Sequence, residues 1–376
     1  MTSDVPAGHP AGFEFDFNYW FDCECGQRVR VSAPTYALQC EEDEPYLDCD
    51  CGAAIDLSKA RPGLRDLGDI DCEDAQVDQH LWYHTSYYQD WPSPSYRDDI
   101  AAQIKLSLLP SHQHEEAVDG KTSLALHLGT YAAAVENMLR RMHDEPSDRP
   151  YWLHQVQIQL RPFDLAPGIH EEFNGLFGDV PMKAVTDLNA WAARYVNVHE
   201  APGSISLAIG PRVIMRVRTI PLSMATAVHP TIAVGEQAVA RAEADLLAAE
   251  ELRPDTTGIP KDQIFESTVD ISHAEWRGRK VSDEARERTK QLSPQFRNYR
   301  KRQDEIQSKL RTTLADIYLA GVTPQLRDRL LDVIPPDFEP GQFHQRLREL
   351  AGLIKLPHEV VGQFETASWR TPDPTS

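Results

Sequence analysis

The chain runs to 376 residues, 41% of them apolar, and carries a formal net charge of −20 at pH 7. That length is too great for one ordinary core and predicts two or three domains. No run of about 18 apolar residues occurs, which excludes a membrane-spanning helix, and the acidic balance argues against a general affinity for nucleic acid or anionic membrane.

The opening residues, MTSDVPAGHPAGFEFDFNYW, show neither a basic nor an apolar stretch, so no secretory signal is expected and the protein is read as cytoplasmic. An internal repeat follows. YWFDCECGQRVRVS (19–32) and YLDCDCGAAIDLS (46–58) align with their cysteines 26 residues apart. Each copy predicts a strand entering a Cys-x-Cys-Gly turn and a strand leaving it. Residues 60–80 are acidic and loop-like, and are expected to be a linker. A strand-rich region comes next. Strands are predicted at 81–84, at 123–128, at 151–161 with Trp152, His154, Val156, Ile158 and Leu160 on one face, at 204–209 and at 213–220. Helices are predicted over 131–142 and 183–195. Beyond residue 230 the pattern is helical, over 236–252, 296–320, 326–333 and 343–353, and residues 367–376 are expected to be a disordered tail.

The charge is uneven along this pattern. Residues 1–100 hold 21 acidic and 6 basic side chains, whereas 201–376 hold 24 of each. The stretch Arg277–Arg311 carries 12 basic and 5 acidic residues. Alternating signs suit the solvated face of a helix; the stretch is also the one place that would attract nucleic acid. The acidic front favours protein as the partner.

All six cysteines precede residue 73. In a reducing compartment such a cluster points to metal rather than to a disulfide scaffold. Cys23, Cys25, Cys49 and Cys51 sit on matching turns, and two similar knuckles facing each other offer four thiolates to a tetrahedral ion, with structural zinc the expectation. Reduced, partly buried thiols and disulfides are the other states open to them. Cys40 and Cys72 are left over and could replace a member of the set. A closed four-thiolate site leaves no open position for catalysis.

The region 80–222 resembles the ADP-ribosyltransferase superfamily. HLWYHTSYYQDWP (80–92) is similar to its first motif, a strand ending in His and then Thr or Ser, here His84, Thr85 and Ser86. LALHLGTYAAAVENMLRRM (124–142) is similar to the second, a strand leading through Thr into an alanine-rich helix that opens on an aromatic residue, here Tyr131. Rifamycin-inactivating members have a comparable passage, and YWLHQVQI (151–158) resembles their next strand. Glu200 in YVNVHEAPGSISLAI (195–209) is placed as the third-motif carboxylate, with Glu171 and Glu172 as rivals. The resemblance implies NAD bound as substrate between two small sheets. His84 would bond the adenosine ribose, Thr85 or Ser86 would help fix the nicotinamide amide, and Tyr131 would stack on the nicotinamide ring. Glu200 would hold the nicotinamide ribose and stabilise the oxocarbenium-like transition state. No role attaches to Asn197, His199 or His170. Nucleophile elbows, P-loops, Rossmann glycine patterns and His-Glu-x-x-His helices are absent from the sequence.

The expected fold is therefore multidomain α+β: a duplicated β zinc module at 15–75, an ADP-ribosyltransferase-like α+β domain at 78–225, and a helical region at 230–366. The expected function is NAD-dependent ADP-ribosyl transfer or NAD hydrolysis. The alternative is a zinc-stabilised protein-interaction module with a catalytically silent central domain.

Overall fold

A computed structural model describes residues 12–15, 17–40, 45–144, 149–172, 180–222 and 228–373. The chain is mixed α and β with small sheets and a helical C-terminal region, and it divides into two compact units. The first comprises residues 1–229, 321–333 and 349–376; the second comprises 230–320 and 334–348.

The duplicated segment forms two hairpins. β1 (Asn18–Asp22) pairs antiparallel with β2 (Arg28–Ser32), which runs into α1 (Ala33–Cys40); β3 (Tyr46–Asp48) pairs with β4 (Ala54–Asp56). The equivalent positions Phe21, Val31, Leu47 and Ile55 alternate inward and make one small core. A core this small is marginal without a further staple.

Residues 60–80 are not a free linker. Gly63 N donates to Trp20 O at 2.7 Å and Arg65 N to Gly203 O at 2.8 Å. Val77 is fully buried, and Asp71 is 1% exposed. The cause lies in a residue far downstream: the Arg194 guanidinium, itself 1% exposed, donates to the carbonyls of Asp71 and Cys72 at 2.8 Å and pairs with Asp74. An arginine cannot shed its proton in the interior, so the loop must come to it.

The central region then runs β5 (Trp82–Ser86), α2 (Tyr96–Leu106), α3 (His114–Thr122), β6 (Leu126–Leu128), α4 (Tyr131–Asp144), β7 (Trp152–Ile158), β8 (Leu165–Glu171), α5 (Met182–Thr186), β9 (Ala192–Val196), β10 (Ile205–Ile209) and β11 (Ile214–Pro221). Two sheets result, ordered β6-β10-β9-β8 and β11-β7-β5. All pairings are antiparallel except β8 with β9. Tyr83 and Gly129 join the sheets by exchanging backbone hydrogen bonds of 2.9 and 3.0 Å. Trp82, Leu128, Val156, Ile205, Leu207 and Val217 form a core that both sheets share. α4 begins where Thr130 Oγ1 accepts from Ala133 N at 3.2 Å, a side-chain cap on otherwise unpaired amides.

Two expectations are corrected. The helix over 183–195 stops at Thr186; Asn189 takes a left-handed φ of 56°, and Ala192–Val196 is a strand. That strand lies between β10 and β8 and is covered on both faces, so its run of buried residues has no period of two. β7 is likewise interior to its sheet, and Leu153 and Gln155 are as buried as His154 and Val156.

The second unit is built on α6 (Ala233–Ala249), α7 (Thr268–Trp276) and α8 (Asp283–Tyr318). Ser267 and Asp270 form a capping box at the start of α7, and Ser282 caps α8 through Ala285 N at 3.1 Å. Tyr318 OH accepts from Ile232 N at 3.1 Å and lies 2.8 Å from His344 Nε2. Of the later helices, α9 (Pro324–Asp332) and α11 (Pro357–Gly362) belong to the first unit, while α10 (Pro340–Lys355) gives 340–348 to the second and 349–355 to the first. Arg370, within the segment expected to be a disordered tail, exchanges backbone hydrogen bonds of 2.8 and 2.9 Å with Val217.

The Arg194→Ala variant is expected to lose about 3 kcal/mol, because it strands two buried carbonyls and opens a cavity. A fall in the urea midpoint at unchanged slope is the measurement; an unchanged midpoint would mean the loop is held by other contacts.

Candidate metal centre and central cleft

Each knuckle is a tight hairpin. Cys23 N donates to Gln27 O and Gly26 N to Cys23 O, both at 2.8 Å; Cys49 N donates to Ala53 O at 2.9 Å and Gly52 N to Cys49 O at 2.8 Å. The turn closes only if its fourth residue goes left-handed, and Gly26 and Gly52 do so at φ 84° and 87°. No atom lies within 4 Å of where a Cβ would stand at either glycine, so the requirement is conformational and not one of space.

The hairpins turn their cysteines toward one point. The sulfurs of Cys23, Cys25, Cys49 and Cys51 all lie within 4.8 Å of one another, with Cys23–Cys51 at 3.8 Å and Cys25–Cys49 at 3.7 Å. A metal–sulfur distance of about 2.3 Å gives a tetrahedron whose edges are about 3.8 Å. The four thiols therefore fit a tetrahedral metal such as zinc. Cys23 and Cys49 are buried and Cys25 and Cys51 exposed, so one side of the centre is packed and the other faces out. Cys40 and Cys72 stand outside this cluster.

The second candidate site is a cleft of about 90 Å³ at the junction of the two sheets, beside α4. His84, Thr85 and Glu200 line it together with Asn137, Arg140 and Glu172. Ser86 and Tyr131 do not. The Ser86 hydroxyl lies 3.0 Å from His154 Nε2 and donates to Tyr88 O at 3.0 Å. Tyr131 is fully buried, its OH donates to Leu353 O at 2.9 Å, and its ring meets Tyr83 edge-on at 5.7 Å. That ring is consumed by packing.

His84 Nδ1 lies 2.9 Å from His127 O, which makes it the protonated nitrogen, and the ring stacks on Trp91 at 4.1 Å. Burial pushes its pKa down to about 3. The ring is therefore neutral near pH 7, with Nε2 as an acceptor. The Thr85 hydroxyl donates to Ala134 O at 2.9 Å.

Glu200 is 6% exposed and already has partners. Oε1 accepts from Arg140 Nε at 2.8 Å and from Asn137 Nδ2 at 3.2 Å. The turn that presents it is tied by Asn197 Oδ1, which accepts from Glu200 N at 2.8 Å, and passes through positive φ at Ala201 and Gly203. Gly203 has no room for a side chain, since its Cβ would fall 2.8 Å from Gly63 O. Of the rival carboxylates, Glu171 is exposed at the end of β8. Glu172 lines the cleft, where its Oε2 accepts from Val198 N at 2.8 Å, and burial lifts its pKa to about 7. Arg140, Asn137 and the buried Glu136 escaped sequence reading. Their signal was polar residues three and four apart on the face of an otherwise alanine-rich helix.

The arrangement is a small, charge-balanced polar pocket. It can orient a modest polar ligand between an ion pair, a neutral histidine and a carboxyl poised near neutrality. A dinucleotide needs a cleft of the several-hundred-Å³ class, which this one reaches only by widening.

The signs of the two titrations differ. Glu172 prefers its proton in the folded state, so its contribution is full below the ordinary carboxyl range and is lost as pH rises through about 7. His84 prefers to be neutral, so its contribution is full above about 6.5 and is lost as pH falls toward 3. The Glu172→Gln variant is expected to match the native protein near pH 5 and to melt at higher temperature at pH 8. Thermal melts across that range check it, and a constant offset would place the carboxyl in solvent. No protein-family model matches the chain, nor does any curated protein or solved structure.

Proposed function

We propose that this chain is a zinc-stabilised binding protein, in which the four-cysteine module is structural and its acidic surroundings engage a protein partner. The observation that carries the reading is the convergence of four sulfurs on tetrahedral spacing. The acidic excess of residues 1–100 favours a basic partner surface. The prior engagement of Glu200 by Arg140 and the enclosure of Tyr131 support a central domain that is catalytically silent.

Purified protein is expected to carry one zinc per chain by atomic absorption, and Cys49→Ser to lose it. Chelation is expected to melt the N-terminal hairpins first, because the ion's binding energy is their folding energy. Metal-free protein with an unchanged melting profile would sink this reading.

A second reading has one observation in its favour: His84, Thr85 and Glu200 line the same cleft. On it the central domain cleaves NAD and transfers ADP-ribose or passes it to water. Glu200 would then leave Arg140 to stabilise the developing cation at the nicotinamide ribose. Nicotinamide release that falls at least about a hundredfold in Glu200→Gln, about 2.7 kcal/mol of transition-state stabilisation, would establish it. Absence of release from folded, zinc-loaded protein supports the binding reading.

A further inference from the structure

The second unit carries a surface that the sequence alone left undecided. Of the 12 basic residues in Arg277–Arg311, several are held by neighbouring carboxylates, as Arg288 is by Glu284 and Lys290 by Glu287. Arg279 donates to the backbone carbonyl of Asp262 and Arg311 stacks over Phe343. Arg277, Lys280, Arg297, Lys301 and Lys309 are exposed and their side chains have no partner among the described residues. Arg297 and Lys301 stand one turn apart on α8, and Lys290, seven residues before Arg297, falls on the same face. Three cations thus follow one side of the helix over about 16 Å.

At the head of this row stands an aromatic residue that does nothing for the core. Trp276, the last residue of α7, is 85% exposed, and Arg277, Arg279 and Lys280 follow it immediately. A left-handed φ of 79° at Gly278 turns the chain there. The ion pair between Glu275 and Arg286 fixes the end of α7 against the first turns of α8, so Trp276 and the cation row belong to one surface. A tryptophan held out in water is unfavourable, and one placed among unpaired cations matches what single-stranded nucleic acid asks of a protein: a flat π-face for a base and positive charge for the phosphates.

We infer that the α7–α8 face, from Trp276 to Lys301, binds single-stranded nucleic acid, with a base stacked on Trp276 and the backbone followed by Arg277, Lys280, Arg297 and Lys301. The strongly acidic remainder of the chain opposes this, so binding is confined to low and moderate salt. Sequence selectivity is absent, because no element on this face offers the geometry to read base edges. A duplex hides its base faces and cannot use the tryptophan.

The test is fluorescence anisotropy of the full zinc-loaded chain with a labelled thymidine oligonucleotide of about 20 nucleotides, and with a duplex of equal length, over about 50–200 mM salt. Log affinity for the single strand is expected to fall with log salt at a slope of about −3, each engaged phosphate giving about −0.7. Trp276→Ala is expected to weaken the single strand about tenfold and leave the duplex unchanged. The double variant Arg297→Ala, Lys301→Ala is expected to lower the slope by about 1.4. All three side chains are exposed, so unchanged helicity by circular dichroism is the folding control. Three results overturn the inference: no anisotropy change at about 50 mM salt, binding indifferent to both variants, or a duplex bound as tightly as the single strand with Trp276→Ala silent.

Discussion

Two hydrogen bonds between Tyr83 and Gly129 decide the architecture of the central region. A three-stranded and a four-stranded sheet each present an apolar face that has to be covered. Joined at this point they share one, with Trp82 and Val156 from the first meeting Leu128, Ile205 and Leu207 from the second. Beside the join lies the polar cleft, lined by Tyr83, His84 and Thr85 on one side and by His127, Leu128 and Gly129 on the other. Gly129 permits the approach: a Cβ on it would fall 2.9 Å from Ala133 Cβ and 3.1 Å from Ser206 Oγ. The strand crossing, the start of α4 and the floor of the cleft thus rest on one residue without a side chain.

Once the cleft exists, its charges are governed by burial. Glu200 is met by Arg140; outside the cleft lining, Glu136, 4% exposed, is met by Arg329 at 3.4 Å and by Ala201 N at 3.1 Å. Burial lifts Glu136 to about 7 even so, and Glu172 behaves alike. Of the two, Glu172 lines the cleft, and a carboxyl near neutrality beside the Glu200–Arg140 pair makes a site whose charge changes over the physiological range. Removing Arg140 would leave Glu200 without its counter-ion in a buried position, which costs more than the pair contributes.

How much of this was legible in the sequence depends on whether the signal was local. The knuckles were legible because a duplicated Cys-x-Cys-Gly turn carries its own conformational demand at Gly26 and Gly52. The strands at Trp82, Trp152, Ile205 and Ile214, the helix from Tyr131 and, beyond residue 230, α6, α9, α10 and the second half of α8 were legible from apolar pattern and breakers, whereas α7, α11 and the charged first half of α8 were not. The misreadings arose where tertiary context overrode that pattern. Ala192–Val196 looked helical because a strand covered on both faces shows no alternation, and β7 looked one-sided for the same reason. The segment 60–80 looked like a linker because what anchors it, Arg194, lies more than a hundred residues away. In the site, the sulfurs were readable from spacing. The partner that neutralises Glu200 was not, since nothing in the sequence around Arg140 distinguishes it from a solvated helix arginine.

The interleaving of the two units has a consequence for how the protein is made. The first unit is begun at the N-terminus but completed by α9, α11 and the strand-like contact of Arg370 with Val217. Tyr131 finds its hydrogen-bond acceptor at Leu353, 222 residues later. During synthesis on the ribosome, the sheets and the cleft must therefore wait, with the Tyr131 hydroxyl and the edge of β11 uncovered, while the whole helical unit emerges. That unit closes on shorter loops and waits only for residues 334–348. The sheets, translated before the helices, are thus completed after them, and for that interval they are the part most exposed to chaperones, to proteases and to their own unfinished copies.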